Sequence, residues 1–319
     1  MTERAGTLLA LLAFAIVATG IMLGFEATRG AGSDVTPRAA VLLVVRHDAG
    51  PLVAVVASGG GDPGDVVTIP PDVALTVPGQ GDARAADAAM LPGGASAIAF
   101  SNLLGAWIEH HAILDASALS GVVDRAGGLQ VFADQLDGAG VSAALAAPGR
   151  LVTWREVVRS LVSSRVDWRP SDFVDVDDLA AVEEAFAGAA EPQVVVLPTT
   201  NVPGGVATVD DAAAAEVTAE AFGVEPGVPV PVVVLNGSGE PGIGAAVAKV
   251  LIPAGFRIAL SENAATFDHR RTLVVAASPE DRMAAERAQA ALGVGTVSVS
   301  GAATGVGDVT IVVGKDFGG

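Results

Sequence analysis

The sequence predicts an α/β protein in two parts behind one N-terminal membrane helix, and three observations predict it. From residue 40 to the end, short Val- and Leu-rich runs bounded by Gly, Asp and Pro alternate with stretches of helical spacing. Hydrophobic residues make up 51% of the chain but aromatics only 4%, with no Tyr, so the core is aliphatic and suits a sheet covered by helices. Finally, residues 5–25 form an unbroken apolar run with no charge between Arg4 and Glu26.

That first run, AGTLLALLAFAIVATGIMLGF, predicts a helix of about 31 Å, which matches the ~30 Å hydrocarbon core of a bilayer. A cleaved signal peptide has a shorter apolar region and a small-x-small cleavage site. The residues that follow here, Glu26-Ala27-Thr28-Arg29-Gly30, favour a retained anchor instead. Charge around the helix orients it only weakly, with Arg4 and the terminal amine offset by Glu3 on one side and Arg29 on the other.

Residues 26–38 read as a polar linker. Strands are predicted at 40–45, 51–57 and 65–70, and a helix at 95–106. A strand at 111 runs into a helix stopped by Gly127-Gly128. Residues 151–165 predict an amphipathic helix, with Thr153 and Glu156 spaced as a capping box. A helix ending in EEAFAGA, a strand at 192–198 and a helix at 210–222 complete the first part as an αβα sandwich. The Pro/Gly-rich stretch 223–229 marks a boundary. Beyond it the pattern is strand, helix, strand, strand, helix, strand, strand, a small α/β domain over 230–319.

The chain has 319 residues, enough for two domains, and a formal charge of −18. From Val230 onward seven Lys and Arg face eight acids, so residues 1–229 carry a net −17. Such a polyanion offers no counterion release, and nucleic acid is excluded as a non-specific partner. The absence of Cys excludes disulfides, thiol nucleophiles and Cys-ligated zinc.

Gly237-Ser238-Gly239-Glu240-Pro241-Gly242 fits the dinucleotide fingerprint, and Glu262 lies at the ribose spacing. Glu240 would sit beside the pyrophosphate, however, and the strands at 257–262 and 272–277 follow one another without a helix, so a tight turn with Pro241 in the helix's first turn is expected. His110 and His111 are adjacent and on a strand face opposite sides. His47-Asp48 reads as a turn. The acidic run from Asp167 to Glu184 lacks calcium-loop spacing and reads as a solvated helix entry. No G-x-S-x-G nucleophile elbow is present.

The stretches VVVLNGSGEPGIGAAVAKVLIPAGFRIALSENA, RTLVVAAS and DVTIVVGKDF together resemble the LytR C-terminal domain, over Val230 to Phe317. Residues 66–79, 82–131 and the segment from PQVVVLP to Phe222 resemble a degenerate LytR-CpsA-Psr domain, over about residues 40–222. The resemblance implies an extracytoplasmic cell-envelope protein on a single-pass anchor, with polyprenyl lipid, peptidoglycan or envelope proteins as partners. Active members move a glycopolymer from a polyprenyl-pyrophosphate carrier onto peptidoglycan, chemistry that needs arginines and a carboxylate-bound Mg²⁺ around the diphosphate. Pro71 stands where the family carries its key arginine. The resemblance leaves Asp72, Arg84, Arg150 and Arg155 as candidate catalytic groups and Asp48 and Asp72 as candidate metal ligands, with Arg46 beside Asp48. The expectation is therefore a binding protein without transfer activity, the working phosphotransferase being the alternative.

Overall fold

Strand β1 (Ala39–Arg46) is buried on both faces, and its alternation assigns each face to a different core. The computed structural model describes residues 39–58, 65–187, 192–200, 206–224, 227–300 and 306–318. Val41, Leu43 and Val45 enter one cluster, Ala40, Leu42 and Val44 the other, all at 0–1% exposure. A strand covered on both sides needs a continuous apolar run, which AVLLVV supplies. The anchor predicted at residues 5–25 and the linker at 26–38 lie outside the described residues. Among the described residues no helix is long and apolar enough to cross a membrane.

β1 pairs antiparallel with β2 (Leu52–Ser58), which pairs antiparallel with β3 (Val66–Ile69). On its other side β1 runs parallel to β6 (His110–Asp115), and two short strands, β9 (Asp175–Val176) and β10 (Val194–Val196), complete a six-stranded sheet in the order β10-β3-β2-β1-β6-β9. Between β3 and β6 lie a hairpin of β4 (Ala74–Val77) and β5 (Gly81–Arg84), a short α1 (Ala85–Ala88) and α2 (Gly93–Leu104). After β6 come α3 (Ala116–Arg125), the β7–β8 hairpin (Leu129–Val131, Asp134–Leu136), α4 (Gly138–Ala146), α5 (Arg150–Ser163) and α6 (Leu179–Ala185). The small strands β11 (Thr199–Thr200) and β12 (Thr208–Val209) precede α7 (Asp211–Phe222).

Helices α3 and α5 contribute to one core, α2 and α7 to the other, giving the αβα layering the sequence predicts. Trp154 of α5 is fully buried, and its indole N–H donates to the Val53 carbonyl at 3.1 Å. The predicted capping box is absent. Thr153 lies inside α5, whose N-cap is Gly149 at φ 81°, and Glu156 instead binds Arg155 and Arg159. Gly149 can take the left-handed conformation that starts the helix one turn early.

The second sheet has the order β14-β13-β17-β15-β16, built from β13 (Val230–Asn236), β14 (Phe256–Asn263), β15 (Leu273–Ala276), β16 (Thr296–Val299) and β17 (Val309–Val313). Helices α8 (Ile243–Leu251) and α9 (Arg282–Leu292) pack into its core. Every element expected from 232 onward is present.

The two sheets are closely joined, and the described residues form one compact unit. β14 is an edge strand, and an open edge presents unpaired N–H and C=O groups. Here α2 covers it: the Asn102 carboxamide accepts from Ile258 N–H and donates to Ile258 C=O, both at 2.9 Å. The β13–β14 register skips one residue at Ala259, and its carbonyl accepts from Gly79 N–H at 3.0 Å. Trp107 packs against the second core, and Lys249 pairs with Glu109.

Candidate functional site

Because β1, β3 and β6 run the same way, their C-terminal ends share one edge of the first sheet. Arg46 ends β1 opposite Asp115, the last residue of β6. At the start of β6, against the outer strand β9, lies a cluster of two histidines and two aspartates. His111, 8% exposed, has Nε2 3.3 Å from Asp175 Oδ1 and Nδ1 3.5 Å from Asp177 Oδ2. The same Asp177 oxygen is 3.5 Å from His110 Nδ1, and Asp177 Oδ1 accepts the His111 backbone N–H at 2.9 Å. The adjacent histidines therefore share a carboxylate. On its outer side β6 is flanked by the two-residue β9, and Asp177 reaches its edge from the turn that follows.

The N-terminus of α2 supplies the last contact. Gly93 N–H donates to Asp175 Oδ2 at 3.1 Å, where the helix's free N–H groups favour negative charge. A Cβ on Gly93 would lie 1.9 Å from His111 Cδ2, so this close approach requires glycine. Partial burial works to raise the Asp175 pKa, but the Gly93 N–H, His111 and the Arg46 guanidinium outweigh it and hold the carboxyl below the usual aspartate range. A lowered native pKa means that Asp175 stabilises the fold above its unfolded-state pKa. That contribution is lost as pH falls through the lowered value.

Arg46 is half-buried, and its Nε has no hydrogen-bond partner. An imidazole and a helix N-terminus face one place, which could seat an anion. Asp175 occupies it. A ligand phosphate would have to displace that carboxylate and meet Asp177, which also contacts His111.

The residues expected from sequence do not gather at this place. Arg150 donates to Gly50 C=O at 2.9 Å, bracing the β1–β2 turn in which Asp48 is exposed. His47 forms that turn as expected, its Nδ1 accepting from Ala49 N–H at 3.0 Å. Arg84 is exposed on β5, and Asp72 is exposed in the turn that Val73 N–H closes on Pro70 C=O at 3.4 Å. Arg155 pairs with Glu156 at 3.1 Å. Asp48 and Asp72 follow strands two apart in the sheet, about 9–10 Å at the usual strand spacing. One Mg²⁺ binds oxygens at about 2.1 Å. Among the described residues no three His, Asp or Glu side chains converge to hold a metal ion. The expected donors do not fit a shared Mg²⁺, and no step is derived through one.

Sequence reasoning missed Asp175 and Asp177 by treating residues 167–184 as a solvated helix entry. Asp172 in that stretch is buried, at 7% exposure, and paired with Arg125. The available signal was Arg125, a cation across from the acidic run. In the second domain, the Asn236 side chain accepts from Ser238 and Gly239 N–H at 3.2 and 2.9 Å and donates to Glu240 C=O. Those N–H groups are spent within the turn and do not cradle a phosphate. Pro241 precedes the Gly242 N-cap rather than lying in the helix.

No curated protein matches the chain in sequence. Among solved structures it is similar to TagT of Bacillus subtilis, a LytR-CPS2A-psr family protein, with bound octaprenyl pyrophosphate lipid (15% identity, 60% of this chain and 92% of that one, TM-score 0.47). TagT bound to LIIa-WTA gives 15% identity over 59% of this chain and 92% of that one, TM-score 0.49. TagV of the same bacterium gives 11% identity over 58% and 95%, TM-score 0.47. A family model described as LytR cell envelope-related transcriptional attenuator matches residues 229–317. The second sheet and its two helices are the part of the chain that this family model matches.

Proposed function

We propose that this is a single-pass membrane protein of the cell envelope, its mass outside the cytoplasm. Its first domain holds a lipid-linked envelope intermediate without transferring the glycopolymer. The apolar run at residues 5–25 supports the anchor, and the LytR C-terminal domain at 229–317 supports the envelope setting. The sequence resemblance over residues 40–222 supports the ligand class. Peptidoglycan or an envelope protein is the further partner of the assembly.

One observation carries the non-catalytic part: Asp175 already fills the place where His111 and the α2 N-terminus converge. Splitting a diphosphate ester requires donors free to meet the charge that develops on the leaving group, and losing one such contact commonly costs about 3 kcal/mol in the transition state. Arg150 and Arg155 are committed to Gly50 and Glu156, and Pro71 offers no charge. The test is to incubate the purified full chain with a polyprenyl-pyrophosphate glycan and Mg²⁺ and measure polyprenyl phosphate. Release no faster than in a protein-free control is expected. Release that Asp72→Ala abolishes would overturn the proposal.

A further inference from the structure

A second cavity lies at the junction of the two sheets, at the far end of α2 from the Asp175 cluster. Eleven residue steps separate Gly93 from Leu104, about 16 Å of helix. The cavity measures about 540 Å³, within the usual range for small-ligand sites. Both domains line it: Leu75 and Leu103 come from the first, Ile252 and Arg257 from the second.

Arg257 is the decisive residue. It lies on β14 between Phe256 and Ile258, each 1% exposed and packed in the second core, so strand alternation sends Arg257 to the opposite side. There it lines the cavity, and its Nε is buried with no hydrogen-bond partner. A buried donor left unpaired is costly, more so on a charged group, and calls for a partner. Among the described lining residues Arg257 is the one cation and Asp82 the one carboxylate. Asp82 does not pair with it within 4 Å; it accepts instead from Thr76 Oγ1 at 3.1 Å. The clamp of Asn102 on Ile258 fixes the strand next to Arg257, so the guanidinium is presented by a rigid element.

We propose that this junction cavity binds a small amphiphilic anion, its carboxylate or phosphate on Arg257 and its short apolar body against Leu75, Leu103 and Ile252. The site is separate from the Asp175 cluster and does not depend on the ligand assigned to the first domain.

The experiment is calorimetric titration of the purified full chain with hexanoate and with hexyl phosphate, using hexanol as the neutral control. Saturable 1:1 binding of at least one anion is expected, at least tenfold tighter than hexanol. Arg257→Gln should weaken the anion at least tenfold, and Arg257→Lys should restore part of the loss. Thermal unfolding gives the second readout: the binding anion should raise the wild-type midpoint and leave that of Arg257→Gln unchanged. Without ligand, Arg257→Gln should unfold no earlier than wild type, because the buried Nε it removes has no partner to lose. Binding of neither anion, equal binding of hexanol, or equal affinity in Arg257→Gln overturns the proposal. A lower ligand-free midpoint in that variant also overturns it, since Arg257 would then be a structural group.

Discussion

Trp154→Ala is expected to lower the unfolding free energy by about 3–5 kcal/mol, the usual cost of truncating a fully buried aromatic ring. Trp154 has 0% exposure, and its ring sits in the core between α5 and the first sheet. The loss has two parts. Removing the ring leaves a cavity, and removing the indole N–H leaves the Val53 carbonyl without that donor on β2. Trp154→Phe separates them by keeping most of the volume and deleting the donor. Chemical denaturation should place it well above the alanine variant. Equal losses would show that the hydrogen bond, not the packing, dominates.

Asn102→Leu should cost about 2–4 kcal/mol, because one side chain satisfies both backbone groups of Ile258. Each buried group left unpaired costs about 1–3 kcal/mol. Asn102 is 4% exposed, so water cannot readily take over. Leucine preserves the approximate volume, which keeps the measurement on the hydrogen bonds. The two sheets would then be joined by the Gly79–Ala259 bond, Trp107 and the Glu109–Lys249 pair. Amide exchange should show faster exchange along β14 than in β1, with β1 unchanged. Unchanged stability in this variant would mean that the clamp is a passive contact.

The layers were legible because strand and helix periods differ so clearly here. AVLLVV, short, Val-rich and bounded by turn residues, reads as a strand, and PEDRMAAERAQAAL reads as a helix. Short elements were not legible. The β4–β5 and β7–β8 hairpins have strands of three or four residues, too few for a period-2 signal. The interdomain clamp was also invisible, since Asn102 inside a helical run reads as an ordinary polar position. Its partner is 156 residues away.

The site was legible only in part, and for a related reason. A depleted arginine set could be read directly from Pro71. What the remaining cations touch depends on tertiary contacts. Arg150 reaches Gly50 across 100 residues, and Asp175 reaches Gly93 across 82. Composition does foreshadow the outcome: eleven arginines among twenty-eight acids in residues 1–229 leave few cations free. The capping-box expectation failed because Gly149, which alone tolerates φ 81° easily, starts α5 before Thr153.

Asp175 takes the place at His111 and the Gly93 N–H that an anionic ligand group would need. Calorimetric titration of wild type and Asp175→Asn with inorganic pyrophosphate measures this directly. The account predicts that Asp175→Asn binds pyrophosphate at least tenfold more tightly, a gain of about 1.4 kcal/mol. Wild-type protein that binds pyrophosphate as tightly as Asp175→Asn would contradict it.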